Sequence, residues 1–150
     1  MLTIVKTHFD NQDFKKLVAS LDQELAIRDG DDHAFYNQFN SSSTLVHCLV
    51  AYLDGISVGC GAIRPFSENK IEVKRMFVPL EFRGKGIASK MLTELEIGSK
   101  ALGFSSCILE TGIHQPEAIS LYKKMNYKII PNYGQYEQVS TSICFEKKFK

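Results

Sequence analysis

The 150-residue chain predicts a mixed α/β or α+β domain built on a mixed sheet, and three observations carry that reading. Strand-like apolar runs separated by turn residues fill 45–78, the apolar period then becomes helical over 86–102, and a strand, a helix and two more strands come after it. With 44% hydrophobic and 11% aromatic residues, one core over 1–150 is expected rather than two domains or a disordered chain.

Asp10 to Leu25 places Phe14, Leu17, Val18, Leu21 and Leu25 on one helical face behind an Asp10 or Asn11 N-cap. Gly30-Asp31-Asp32 interrupts it, a short aromatic-rich helix is expected over Ala34 to Phe39, and Ser41-Ser42-Ser43 reads as a loop. Leu45 to Leu53 and Ile56 to Ile63 are strands joined at Asp54-Gly55, a dipeptide suited to a tight hairpin turn. After a turn at Ser67-Glu68-Asn69, Lys70 to Val78 is a third strand. Strict alternation there puts Ile71, Val73 and Phe77 on one face and Glu72, Met76 and Val78 on the other.

Gly86 to Leu102 is a helix with Ile87, Met91, Leu92 and Leu95 inward and Gly103 as its stop. Ser105 to Glu110 is a strand, and Pro116 opens a helix through Met125 that aligns Ala118, Leu121, Tyr122 and Met125. Tyr127 to Ile130 and Ser142 to Phe149 are closing strands, so an antiparallel meander is followed by a strand–helix–strand crossover.

Composition excludes several function classes. Eighteen Lys plus Arg against seventeen Asp plus Glu give a net charge of +1, which supplies no global field for a nucleic acid or an acidic membrane. The longest apolar run, Leu45 to Leu53, is far shorter than the roughly 20 residues of a membrane-spanning helix, and the start carries no secretory pattern. A cytoplasmic protein is expected. Cys48, Cys60, Cys107 and Cys144 lie apart in strand-like runs without metal-ligand spacing, so buried reduced thiols are expected and no metal is implied.

The most informative stretch is KIEVKRMFVPLEFRGKGIAS, residues 70–89, where a strand leads through Arg83-Gly84-Lys85-Gly86 directly into a helix. Glycines admit close backbone approach, the first-turn amides lack partners, and the helix dipole with Arg83 and Lys85 favours negative charge, so a pyrophosphate is a natural guest. The other reading is a tight turn with two solvated cations. The pattern is neither a P-loop nor a nicotinamide fingerprint.

These residues resemble the GNAT N-acetyltransferase family, whose cofactor motif, Gln/Arg-x-x-Gly-x-Gly/Ala after the fourth strand, is matched by Arg83, Gly86 and Ala88. The EVKRMFV strand, the SCILE strand and an Ala-x-x-x-Tyr helix at Ala118 to Tyr122 extend the likeness from about Leu45 to Ile130. It implies a single acetyltransferase domain of the small bacterial type, with a mostly antiparallel central sheet and helices on both faces. Acetyl-CoA is the implied co-substrate: pantetheine against the backbone of Met76, Phe77 and Val78, and pyrophosphate on the amides of Gly84, Lys85, Gly86, Ile87, Ala88 and Ser89 near Arg83. If the fourth strand bulges as in the family, an amide near Met76 or Phe77 faces the developing oxyanion.

The resemblance assigns Tyr122 to the cofactor sulfur, where its phenol can protonate the departing thiolate; the other reading is a core aromatic. Glu72 is the candidate general base, or else a surface glutamate paired with Lys70 or Lys74. Gln115 stands where the family commonly has Asn, retaining an amide for the cofactor, and Asn126 stands where Gly is common. Pro79 lies one residue before the place where the family commonly has proline, and Leu80 fills that place.

The acceptor region offers Asp29, Asp31, Asp32, His33 and Tyr36, then Arg64 and Arg75, then Tyr133 and Tyr136, of which Tyr36, Arg75 and Tyr133 are the candidate substrate contacts. Acids would suit a polyamine; the arginines would suit an amine that also carries a carboxylate. The expected activity is direct acetyl transfer to a primary amine of a small molecule or peptide without an acyl-enzyme. A catalytically silent CoA-sensing module is the alternative. Pairing through the last strands would make a homodimer.

Overall fold

The computed structural model describes residues 1–30 and 44–149, so the helix expected over Ala34 to Phe39 and the candidate Tyr36, with Asp31, Asp32 and His33, lie outside the described residues. Seven strands form one sheet in the order β1-β2-β3-β4-β5-β7-β6: β1 (Leu2–Thr7), β2 (His47–Leu53), β3 (Ile56–Pro65), β4 (Lys70–Phe77), β5 (Ser106–Gly112), β6 (Lys128–Ile130) and β7 (Ser142–Lys148). All neighbours are antiparallel except β4 and β5. The described helices are α1 (Gln12–Asp29), α2 (Ile87–Ala101) and α3 (Pro116–Lys124). Strand β1, unassigned from sequence, is a Leu-Thr-Ile-Val run at the sheet edge, paired from Leu2↔Leu53 to Thr7↔Cys48.

The helices divide between the two faces. Helix α1 starts as expected, with the Asn11 side chain accepting from Phe14 N–H at 3.0 Å, and lays Phe14, Leu17 and Leu21 on Cys48, Val50, Cys60, Ala62 and Phe77. Helices α2 and α3 cover the opposite face, where Leu92, Leu95 and Tyr122 pack with Ile63, Ile71, Val73, Leu109 and Phe145. The α2 stripe of Ile87, Met91, Leu92 and Leu95 is buried as its period predicts. Glu96, on the same helix, is buried too: it accepts from Tyr127 Oη at 2.8 Å and Lys147 Nζ at 2.9 Å.

Strict alternation fails in β4. Between the pairs Ala62↔Lys74 and Cys60↔Phe77 the register shifts by one residue, and Arg75 adopts φ +60°. This bulge inverts the phase of the strand beyond it. Ile71 and Val73 therefore share the α2–α3 side with Met76 and Val78, whereas Phe77 packs on the α1 side, opposite to the expectation. Glu72 pairs with Arg64 on the α1 side and no longer shares a face with Met76.

Candidate active site

The site begins where β4 and β5 part. They pair only at Lys70↔Ser106, Ile71↔Cys107 and Glu72↔Ile108, so from Val73 onward β4 has no ladder partner on its β5 side. Two cavities fill the wedge. The outer one, of about 480 Å³, runs along Met76, Phe77 and Val78 to the start of α2 and is flanked by α1 and α3. The inner one, of about 110 Å³, is lined by Lys74, Arg75, Glu110, Asp29, Tyr136 and neighbours. Both include Leu21, Met76, Gln115, Ala118 and Tyr122, so the parted strands join a space on the α2–α3 side to one on the α1 side.

The start of α2 is built for an anion. After Pro79 a 3₁₀ turn at Leu80–Phe82 leads into Arg83, and both Gly84 (φ +80°) and Gly86 (φ +79°) hold left-handed conformations with open space where a Cβ would project. Gly86 is the N-cap and supplies no side-chain acceptor, so the first-turn amides of Ile87, Ala88 and Ser89 are left for a ligand. Gly84, Gly86, Ile87, Ala88 and Ser89 all line the outer cavity. Lys85 lies over the Phe82 ring at 5.9 Å.

Arg83 is not a solvated cation. Its Nε donates to the Val78 carbonyl at 2.7 Å and its Nη2 to Glu24 at 2.8 and 3.0 Å, and Glu117 stands 3.7 Å from Nη1. Arg28 grips Glu117 through both nitrogens, one at 2.8 Å, and holds that carboxyl down at about 2. These pairs tie α1, the glycine loop and α3 together around the outer cavity.

Tyr122, 6% exposed, lines both cavities, packs edge-on to Tyr127 at 5.8 Å, and its hydroxyl makes no hydrogen bond to a described residue. Burial, then nearby Glu110, pushes its phenol well above the ordinary range, so it stays a proton donor. Gln115 caps α3 from its Ncap position without a side-chain bond and also lines both cavities. Asn126, the substitute for a common glycine, sits at φ +71°, a conformation that asparagine tolerates.

Glu72 is 1% exposed and lines neither cavity; Arg64 Nε donates to one oxygen at 2.9 Å and Tyr133 Oη to the other at 2.6 Å. Its partners are Arg64 and Tyr133, not Lys70 or Lys74. Tyr133 thereby holds the closing loop, residues 131–141 between β6 and β7, while the neighbouring Tyr136 reaches the inner cavity. Arg75, 6% exposed, donates to Asp22 at 2.9 Å and leaves its Nε without a hydrogen-bond partner among the described residues.

Lys74 and Glu110 join the site without having been expected there. Glu110 follows the apolar Cys107-Ile108-Leu109 run and Lys74 stands among alternating charges in β4, so neither is marked out locally, and they meet only because the strands part. Burial lowers the Lys74 ammonium and raises the Glu110 carboxyl to about 7. The four cysteines are free and buried, and burial pushes each thiol to about 11 or 12, which leaves them inert as nucleophiles.

The profile of the acetyltransferase (GNAT) domain matches residues 44–129. An IAA acetyltransferase of Azospirillum brasilense is 39% identical over 103 residues, 68% of this chain and 67% of that protein. An uncharacterised N-acetyltransferase of Schizosaccharomyces pombe is 31% identical over 138 residues, covering 88% and 85%. Among solved structures, a protein described as an acyl-CoA N-acyltransferase of Klebsiella pneumoniae superposes with a TM-score of 0.82 at 29% identity, over 99% of this chain and 97% of that one. A GNAT acetyltransferase of Elizabethkingia anophelis with acetyl-CoA bound shares the fold at TM-score 0.72 and 16% identity, over 99% and 98%.

Proposed function

The chain belongs to the GNAT acetyltransferase family and is an acetyl-CoA-dependent acyltransferase, and from that premise we propose that it moves the acetyl group directly to a primary amine of a small molecule or peptide. The observation that carries the proposal is the parting of β4 from β5, which joins a cavity of about 480 Å³ reaching the start of α2 to an inner one of about 110 Å³. Acetyl-CoA supplies an activated thioester. The amides opening α2 hold its diphosphate, the β5-facing backbone of Met76, Phe77 and Val78, where Arg83 already holds the Val78 carbonyl, receives the pantetheine amides through its remaining groups, and Gln115 contacts it from α3.

Tyr122, protonated and with an unengaged hydroxyl, is the proposed donor to the departing sulfur. Glu72, expected as the base, has both oxygens occupied, so its proposed part is to fix Tyr133 and the closing loop rather than to move a proton. Direct attack suits the site because no described cysteine is available as an acyl carrier. Arg75, with its spare Nε, is the proposed contact for an acceptor carboxylate.

Calorimetry with acetyl-CoA and desulfo-CoA, followed by thiol-release assays with primary amines on wild type, Gly86→Trp and Tyr122→Phe, tests this. Tight binding abolished by Gly86→Trp, with amine-dependent CoA release slowed by Tyr122→Phe, is expected. Absence of CoA binding overturns the reading; binding without turnover on any amine favours a sensing module.

A further inference from the structure

An acceptor amine reaches the thioester as an ammonium ion and must lose a proton before its nitrogen can attack. Glu72 is engaged, so another group has to receive that proton. Glu110 lies on β5 two residues past Ile108, where the last β4 contact is made, on the face that looks toward α1. It lines the inner cavity opposite Tyr122, which enters from the other face. Ser142 Oγ donates to one of its oxygens at 2.6 Å, and the other oxygen makes no hydrogen bond to a described residue.

We propose that Glu110 is the general base of the transfer, taking the proton from the acceptor amine in the inner cavity. The proposal rests on the acetyl-transfer reading above. On becoming an amide, an ammonium acceptor loses two protons. The first passes to the Glu110 carboxylate and on to water. The second leaves nitrogen as the C–N bond forms and the C–S bond breaks, and it replaces, on the Tyr122 oxygen, the proton that this hydroxyl gives to the departing sulfur. The products are the acetamide, CoA thiol and one proton in solution.

The surroundings suit the role. Burial raises the Glu110 carboxyl to about 7, opposed by the Ser142 hydrogen bond and by Lys74 and reinforced by Asp29 and Glu72. Tyr122 and Tyr136 face it from α3 and the closing loop, and Cys144 pairs with it from β7. A carboxyl titrating near neutrality is both ionised enough to accept a proton and basic enough to hold it.

The test compares wild type, Glu110→Gln and Ser142→Ala, with acetyl-CoA binding by calorimetry and CoA-thiol release on spermidine, phenethylamine, L-lysine and Gly-Gly across pH. Glu110→Gln is expected to bind acetyl-CoA as wild type does, to lose roughly 10²–10³-fold in turnover, and to lose the acid limb near pH 7. Ser142→Ala, which removes a bond favouring the charged form, should move that limb to higher pH. A carbon-13 titration of labelled glutamates in the wild type should show one carboxyl with a midpoint near 7 that is missing from Glu110→Gln. Normal acetyl-CoA binding with an unchanged acid limb and wild-type turnover in Glu110→Gln overturns the assignment alone. Failure of the wild type to bind acetyl-CoA overturns the acetyl-transfer reading instead, whatever Glu110 does.

Discussion

Tyr122 and Tyr127 form a matched pair on which the chemistry can be separated from packing. Both are buried, their rings stand 5.8 Å apart, and they belong to one core cluster. Their hydroxyls differ. Tyr127 donates to Glu96 at 2.8 Å, whereas the Tyr122 hydroxyl bonds to no described residue and lines the joined cavities. Replacing Tyr127 by Phe strands one oxygen of a buried carboxylate, a loss of about 1–3 kcal/mol or, for a domain of this size, ~3–10 °C in Tm. Replacing Tyr122 by Phe keeps the ring contacts with Tyr127 and Phe145 and breaks no bond, so stability should change by less than about 0.5 kcal/mol. Removing a proton donor to the leaving sulfur should lower kcat by ~10²–10⁴-fold, about 3–5 kcal/mol of barrier. Thermal unfolding and steady-state CoA release on both variants give the answer. A Tyr122→Phe enzyme with wild-type kcat, or one destabilised as much as Tyr127→Phe, would refute the donor role and return Tyr122 to the core.

The cleft also constrains Gly61. A Cβ there would stand 2.6 Å from Met76 Sδ and 3.2 Å from Leu95, so Gly61→Ala should lose about 1–3 kcal/mol and raise KM for acetyl-CoA by displacing Met76 in the cleft, measured by unfolding and kinetics. Because the Glu110 carboxyl is raised in the fold, its stabilising share is complete below its unfolded value and fades as pH rises through about 7; Glu110→Gln should therefore be the more stable protein at pH 8, by at most on the order of 3 kcal/mol, in pH-dependent denaturation. Glu117, lowered by Arg28, runs the other way: the α1–α3 link is present above the unfolded carboxylate value and lost as pH falls toward about 2. With Glu117 half exposed, a double-mutant cycle on Arg28→Ala and Glu117→Ala should give only ~0.2–1 kcal/mol at neutral pH and less in high salt.

The amino-acid sequence by itself determined the local features. The 3.6-residue apolar period set α1 and α2, Asn11 capped α1, Asp54-Gly55 turned the β2–β3 hairpin, and Gly84 and Gly86 took the left-handed conformations that open α2. Each depends on residues within a few positions of one another, so periodicity and turn chemistry suffice to read them. The glycine loop that opens α2 was legible for the same reason.

The features that only tertiary structure decided depend on partners distant in the chain. The bulge at Arg75 inserts a residue against β3 and reverses which β4 side chains face α1, and no alternation rule within β4 can announce it. Glu72 found Tyr133, which lies 61 residues away, and lost its free oxygens to Tyr133 and Arg64. Glu110 acquired its cavity and its near-neutral carboxyl only where β5 diverges from β4 and Ser142 arrives on β7. Burial and charge pairing are set by the summed surroundings of a group, and those surroundings exist only once the sheet has closed.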